Sequence, residues 1–363
     1  MSLLFYLIIL TSIASMDSFM SLPEPFSRHL FVPASLSLHR RYSSATSSRP
    51  NSISSLPWKP TGYNSWEWED KKINYIEYGD EANPPILLIH GFGASVFHWR
   101  YNVPSLSKHY HVFALDLLGF GLSDKPVQTY SAEVWRDQAL SFIEDVIKPK
   151  NSQRVVIAGN SLGGFTALYA TYFDIKEQKN LIKGCALLNA AGRFRSSDGD
   201  SGYSPGWIKP VQEAVQRFII GLSFIYTKQP ARIEQVLRQV YPCDDSNVDK
   251  DLIESIRYPA QDPNAAEVFY RVIKKNDGPP VFVDDLILEL KSKSMPLALI
   301  WGQLDPWIKP KYADQIQTLY PECLRFDVDA GHCPHDEAPL SVNRAIIEFM
   351  RTCNGDLADG AEI

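Results

Sequence analysis

Cysteine is scarce in this sequence. The five residues, Cys185, Cys243, Cys323, Cys333 and Cys353, are odd in number, scattered and without a CxxC pair. That pattern excludes a disulfide framework and a structural zinc site, and it fits a reducing compartment. The body of the chain has no basic cluster and the net charge is −6, so nucleic acid is excluded as a partner. No N-x-S/T acceptor occurs anywhere, which argues against passage through the secretory route. The one leading apolar run, Leu3 to Leu10, is too short to cross a bilayer and lacks a basic flank. Internal repeats and coiled-coil heptads are also missing. What remains is 363 residues, 45% hydrophobic, enough for a large globular core.

Acid is nearly absent from the first 56 residues. Asp17 and Glu24 stand against Arg28, Arg40, Arg41 and Arg49, amid serine-rich stretches such as Ser43-Ser44-Ala45-Thr46-Ser47-Ser48. Serine-rich, arginine-bearing and acid-poor is the signature of an organelle transit peptide. Residues 1–56 are therefore expected to be a leader, with the fold starting near Trp58.

From there the chain alternates short β-rich runs with helical stretches, the mark of an α/β protein with a mostly parallel sheet. The strand runs are Ile73–Tyr78, Ile86–His90, His111–Leu117, Arg154–Gly159, Gly184–Asn189, Leu297–Gly302 and Leu324–Val328. Helices are expected over Ala132–Ile147, Leu162–Phe173 and Ser341–Met350. One long interruption lacks any buried-strand pattern and opens with the turn-rich Ser196-Ser197-Asp198-Gly199-Asp200-Ser201-Gly202. It carries helical segments around Pro210–Ile225, Ala231–Tyr241, Asp251–Ile256 and Asn264–Ile273. The division is then 57–192 first core part, 193–293 helical cap inserted after the sixth strand, 294–353 second core part and 354–363 flexible tail.

The chemistry is carried by Gly159-Asn160-Ser161-Leu162-Gly163-Gly164, which directly follows the apolar strand Val155-Val156-Ile157-Ala158. A serine framed by glycines between a strand and a helix marks a nucleophile elbow, a turn that lifts Oγ clear of the sheet. Serine is a poor nucleophile at neutral pH unless a histidine takes its proton and an acid orients that histidine. Asp305, in the turn after Leu297–Trp301, and His332, in Asp329-Ala330-Gly331-His332, occupy the later turns where these partners belong. His335, Asp329, Asp284 and Asp285 compete less well; the last two read as a helix start. His90-Gly91-Phe92-Gly93 follows another strand, and the backbone amides of Phe92 and Leu162 are the candidates for holding an oxyanion. His90 is expected to be a structural hydrogen-bonder, Phe97-His98-Trp99-Arg100 mostly packing, and Asp116-Leu117-Leu118-Gly119-Phe120-Gly121 architecture.

Together these residues resemble the α/β-hydrolase superfamily, over about Trp58 to Met350. The stretches Phe97-His98-Trp99-Arg100-Tyr101-Asn102, Asp116-Leu117-Leu118-Gly119-Phe120-Gly121 and Ala330-Gly331-His332-Cys333-Pro334-His335-Asp336-Glu337 look like one plant and cyanobacterial branch. That branch contains the chloroplast chlorophyll dephytylases and is related to pheophytinase. Leu122 departs from it, because members often carry an aromatic there. The resemblance implies a serine hydrolase with a Ser161–His332–Asp305 triad that frees phytol from chlorophyll or a close derivative, in plastids, without a metal or other cofactor. Within the same fold, lipid or small-ester hydrolysis and carbon–carbon bond hydrolysis are alternatives; a non-catalytic ligand receptor is one of another class. In the cap, Trp207, Val211, Val215 and Phe218 repeat at helical spacing and the apolar stretch runs on to Tyr226. Phe218, Phe224 and Ile225 are the candidates for lining a lipophilic substrate or meeting a membrane, alongside the plainer reading of a helix packed inside the cap.

Overall fold

In the run Ile86–Ile89 every side chain is buried, and successive residues enter different cores. Leu87 and Ile89 join one cluster with Ile157, Leu187 and Leu299. Ile86 and Leu88 join another with Val156, Ala186 and Ile300. This period of two, apolar on both faces, is what a sheet covered by helices on both sides requires. The computed structural model describes residues 39–42, 54–149, 153–195, 217, 220–274 and 280–355.

Nine strands form one sheet: β1 His39–Tyr42, β2 Asn64–Trp68, β3 Lys71–Tyr78, β4 Pro85–Ile89, β5 His111–Leu115, β6 Val155–Asn160, β7 Ile182–Leu188, β8 Leu297–Gly302 and β9 Leu324–Val328. Their order is β1-β9-β8-β7-β6-β4-β5-β3-β2. All neighbours are parallel except β2–β3 and β3–β5. One face is covered by α1 Ala132–Phe142 and α2 Leu162–Lys176. The other is covered by the last helix, Pro339–Asn354, through Val342, Ile346 and Phe349.

The cap contributes α3 Pro230–Val240, α4 Lys250–Arg257 and α5 Ala265–Ile273, in place of the expected Ala231–Tyr241, Asp251–Ile256 and Asn264–Ile273. In α3 the buried positions Ile233, Leu237 and Val240 follow helical spacing and pack with Tyr241, Val248 and Leu252. That small core closes over Phe97 and Cys333 of the main domain.

Three boundaries differ from the sequence reading. α6 Val283–Ser292 lies inside the expected cap, yet its Val283, Leu286, Ile287 and Leu290 belong to the sheet core. The insertion instead closes where Arg193 bridges Phe282 in parallel and Val283 N–H donates to the Arg193 carbonyl at 2.8 Å. Second, β1 falls within residues 1–56, the expected leader, but pairs in parallel with β9 at the sheet edge. Its Arg40 bonds Glu348 of the last helix at 3.0 Å. Four residues, His39–Tyr42, carry too little apolar pattern to be seen in advance. Counting β1, the cap follows the seventh strand rather than the sixth. Third, the hairpin strand β2 was not anticipated. The expected tail residues 356–363, like Trp207, Val211, Val215 and Phe218, lie outside the described residues.

Beneath the C-terminal edge of the sheet, three histidines are buried. His90 donates from Nδ1 to the Gly91 carbonyl (2.7 Å), while its Nε2 accepts from Leu117 N–H (3.0 Å), which fixes a neutral tautomer. The His335 ring packs on Trp99 at 4.2 Å between centroids, with His98 6.1 Å away. Burial lowers all three pKa values, to about 3 for His98 and well below the ordinary 6.5 for His335.

Two predictions follow from this packing. A chain starting at Ser54 lacks β1; against one starting at Ser35 its urea midpoint should fall, reflecting a loss on the order of 1 kcal/mol in unfolding free energy. An equal midpoint would show that β1 contributes nothing. The buried histidines make stability acid-sensitive. Each is neutral when folded and titrates near 6.5 when unfolded, so its contribution is intact above pH 6.5 and is lost as pH falls towards about 3 for His98. Asp336, pushed up by burial from 3.8 to about 6, works in the opposite sense between those values, as do Asp174 and Glu337, which burial also raises, but the histidine window opens at higher pH, near 6.5. The thermal midpoint should therefore drop from pH 7 to pH 5, and His98→Leu should flatten the slope.

Candidate active site

The serine at the elbow is forced into place by main-chain crowding. Ser161 caps α2 with φ +54° and ψ −117°, a strained conformation for a residue with a side chain. A Cβ on Gly159 would stand 2.1 Å from the Gly163 carbonyl oxygen. One on Gly163 would meet the Ile89 and His90 carbonyl oxygens at 2.3 and 2.4 Å. No larger residue fits at either position, so the first turn of α2 lies directly against the end of β4. That approach sets the two expected oxyanion loops side by side. Gly91 is close enough that a Cβ on it would be 3.2 Å from Ser161 Cβ. Leu162 opens α2, where first-turn amides have no intrahelical acceptor and the helix dipole favours negative charge. Phe92 is half-buried, its ring edge-on to Phe120 at 5.4 Å.

The acid and the histidine come from turns after β8 and β9. His332 Nδ1 and Asp305 Oδ2 are 2.7 Å apart and both side chains are buried. Asp305 also accepts from Asn189 Nδ2 (2.8 Å), Trp307 N–H (2.7 Å) and Ile308 N–H (3.0 Å). Asp305 is thus the acceptor throughout, His332 Nδ1 carries the proton, and Nε2 is left as the basic nitrogen. Asn189 had not been singled out. It directly follows β7, and its Oδ1 accepts from Gly302 N–H (2.8 Å), so one amide ties the acid's turn to the neighbouring strand. Trp307, unnoticed in the sequence, packs 4.8 Å from the His332 ring. Asn160, the residue before Ser161, donates to the His332 carbonyl at 2.9 Å, which brings elbow and histidine loop together.

The alternatives go elsewhere. Asp284 and Asp285 sit in the first turn of α6 and engage Arg195. His335 faces Trp99 under the site. Asp116, read as architecture, accepts from Val96 N–H, Asn74 Nδ2 and Leu122 N–H at 2.7, 2.8 and 2.7 Å. In the segment Phe97-His98-Trp99-Arg100, the first three residues are buried packing, but Arg100 is part of an ionic cluster at the cap. Of the cap candidates, Phe224 is buried, its ring 5.2 Å from Phe269, which in turn lies 5.4 Å from Phe92. Ile225 is 55% exposed, and Leu222 and Tyr226 are exposed with it. The two neighbours therefore face different ways, and Phe218 lies outside the described residues.

The chain is similar to several known proteins. Residues 84–339 match the family model described as the alpha/beta hydrolase fold. "Pheophytinase, chloroplastic" of Arabidopsis thaliana is 30% identical over 76% of this chain, and the match spans 64% of that protein's length, a little under two thirds. "Epoxide hydrolase 3" of Xenopus tropicalis is 24% identical over 77% of this chain and 75% of its own. The crystal structure of a membrane phospholipase A superposes with a TM-score of 0.61 at 23% identity, covering 80% of this chain and 86% of that one. On the family match and the pheophytinase likeness, the chain belongs to the alpha/beta hydrolase family.

Proposed function

We propose that this hydrolase is a serine-dependent carboxylic ester hydrolase whose substrate is the phytyl ester of chlorophyll or a close derivative. The observation that carries the ester-hydrolase part is the 2.7 Å Asp305–His332 pair, joined through Asn160 to an elbow that bears serine. In this mechanism His332 Nε2 takes the Ser161 proton as Oγ attacks the ester carbonyl. The Phe92 and Leu162 amides hold the oxyanion, and His332 then protonates the departing alkoxide. Water activated by His332 releases the acid from the acyl-enzyme. Serine also separates this chain from the epoxide-hydrolase chemistry of its relative. Opening an epoxide with a serine oxygen would leave an ether, which water does not cleave.

The phytyl ester is supported by the likeness to the chloroplast pheophytinase, by the acid-poor leader composition and by the apolar lining near the site. Phe92, Phe120, Phe224 and Phe269 form an aromatic run from the oxyanion loop into the cap. Burying a C20 chain from water is worth on the order of 10 kcal/mol at about 0.8 per CH₂. A substrate that starts in lipid forfeits most of that gain, so the run selects by shape and by placement of the carbonyl. We place the protein in plastids, in peripheral contact with their membrane through the exposed Leu222, Ile225 and Tyr226. The chain carries a net charge of −6. Charge will therefore not draw it to an anionic leaflet, and docking rests on apolar contact.

Incubation with chlorophyll a, its magnesium-free form and a galactolipid, followed by chromatography, separates the readings. Phytol with a dephytylated pigment is expected; fatty acid without phytol would favour a lipid hydrolase. Ser161→Ala should lose roughly 10⁶-fold in kcat, and adding His332→Ala should cost little more, because the residues act as a unit. A Ser161→Ala enzyme with normal turnover overturns the mechanism. Binding to galactolipid vesicles should persist through a 1 M salt wash, at which charge contacts are screened to about 3 Å, and weaken in Ile225→Asp.

A further inference from the structure

Arg100 follows the short turn Val96–Trp99 and is almost wholly buried, yet every arm of its guanidinium is engaged. Nε donates to Asp336 Oδ1 at 2.9 Å, and Nη2 reaches Asp336 Oδ2 at 3.3 Å. Nη1 donates to both oxygens of Asp249, at 2.9 and 2.8 Å, and Nη2 to the Asn247 carbonyl at 2.6 Å. Asp249 and Asn247 belong to the cap, where Asp249 also caps α4. Asp336 stands four residues after His332 and accepts from the Tyr241 hydroxyl at 2.9 Å. One planar cation thus bonds core, cap and histidine loop at once.

The same cap segment holds the histidine's own backbone. His332 N–H donates to the Val240 carbonyl at 3.0 Å. Glu337 accepts from Gly331 N–H (2.6 Å) on one side and from Cys243 and Asp244 N–H (2.7 and 3.1 Å) on the other. Residues 240–249 and 331–337 are therefore a single hydrogen-bonded unit, and Arg100 is its only link of full charge to the sheet domain among these contacts. We infer that Arg100 is a positioning residue for the hydrolytic centre. With Asp336 and Asp249 it fixes the cap segment Val240–Asp249 and, through it, the loop that sets the His332 imidazole between Asp305 and Ser161. A catalytic group displaced by an ångström loses much of its rate, so this clamp acts on kcat rather than on substrate binding.

The test compares Arg100→Lys and Asp249→Ser with the full wild-type chain. Lysine keeps the charge but cannot present a fork to two carboxylates. Serine keeps the helix cap but removes the ion pair. The kinetic arm, on p-nitrophenyl acetate, rests on the ester-hydrolase reading. The other arm does not: the downfield proton resonance of His332 Nδ1–H on Asp305 reads geometry without turnover. In Arg100→Lys that resonance should shift or broaden, and kcat should fall about tenfold with KM near wild type. Asp249→Ser should change both less, in the same direction. Folded variants with a wild-type resonance and wild-type kcat, whatever their thermal midpoints, overturn the inference. If Arg100→Lys does not fold, Asp249→Ser decides alone. Inactivity of the wild type towards every ester would count against the ester reading and leave the resonance comparison standing.

Discussion

The close approach of α2 to the end of β4 is the constraint on which the site depends. Gly163 sits where any side chain would drive into two carbonyl oxygens, and Gly159 where it would drive into Gly163 itself. Because those contacts are backbone to backbone, they cannot be relieved by a rotamer change. They hold Ser161 at positive φ, set the N-terminus of α2 beside it and leave Gly91 against the serine. The strain is sustained by the layers behind it, two apolar cores that interleave residue by residue along Ile86–Ile89, Val155–Ala158 and Leu297–Trp301.

How much could be read in advance follows from the range of each interaction. Ser161, Asp305 and His332 each lie in the turn after an apolar strand, so strand periodicity and turn signals were enough to mark them as candidates, and the structure brings the last two together. The sheet and the cap helices were legible for the same reason. Asn189 was not, because its meaning lies in Asp305, 116 residues on, and an asparagine after a strand is ordinary turn chemistry. Arg100 was hidden more deeply. Its partners are 149 and 236 residues away, and an arginine beside tryptophan looks like a packed amphipathic side chain. The helix α6 was assigned to the cap since its amphipathic pattern says that one face is buried but not against what. β1 was lost within a composition that signalled a leader.

The cap is fastened unequally. On the histidine side it is held by a buried arginine, three acids and main-chain bonds to the catalytic loop. On the oxyanion side the described contacts are mostly aromatic, Phe92 with Phe269 and Phe269 with Phe224, plus one bond from Asn264 to the Lys125 carbonyl. Aromatic contacts tolerate sliding and retilting at small cost, and they also accept a lipophilic guest in place of a partner ring. Directional bonds do neither. The aromatic side can therefore yield while the loop that bears His332 stays in register.

That asymmetry also explains why an ion cluster is found where apolar packing would serve stability as well or better. Taking Arg100, Asp336 and Asp249 out of water is costly, and burial leaves the Asp336 carboxyl raised to about 6 despite the cation beside it. Replacing such a group with well-packed apolar residues often leaves a protein as stable or more so. What packing cannot supply is a unique register between cap and core. Burial of apolar area is non-directional, so a cap held only by Ile233, Leu237 and Val240 would retain its affinity for the core while losing its exact seat. The His332 backbone is bonded to that cap at Val240, so a cap that shifts carries the imidazole with it. A planar guanidinium bonded to two carboxylates admits one arrangement, and in this fold that arrangement is the one that keeps the imidazole on Asp305.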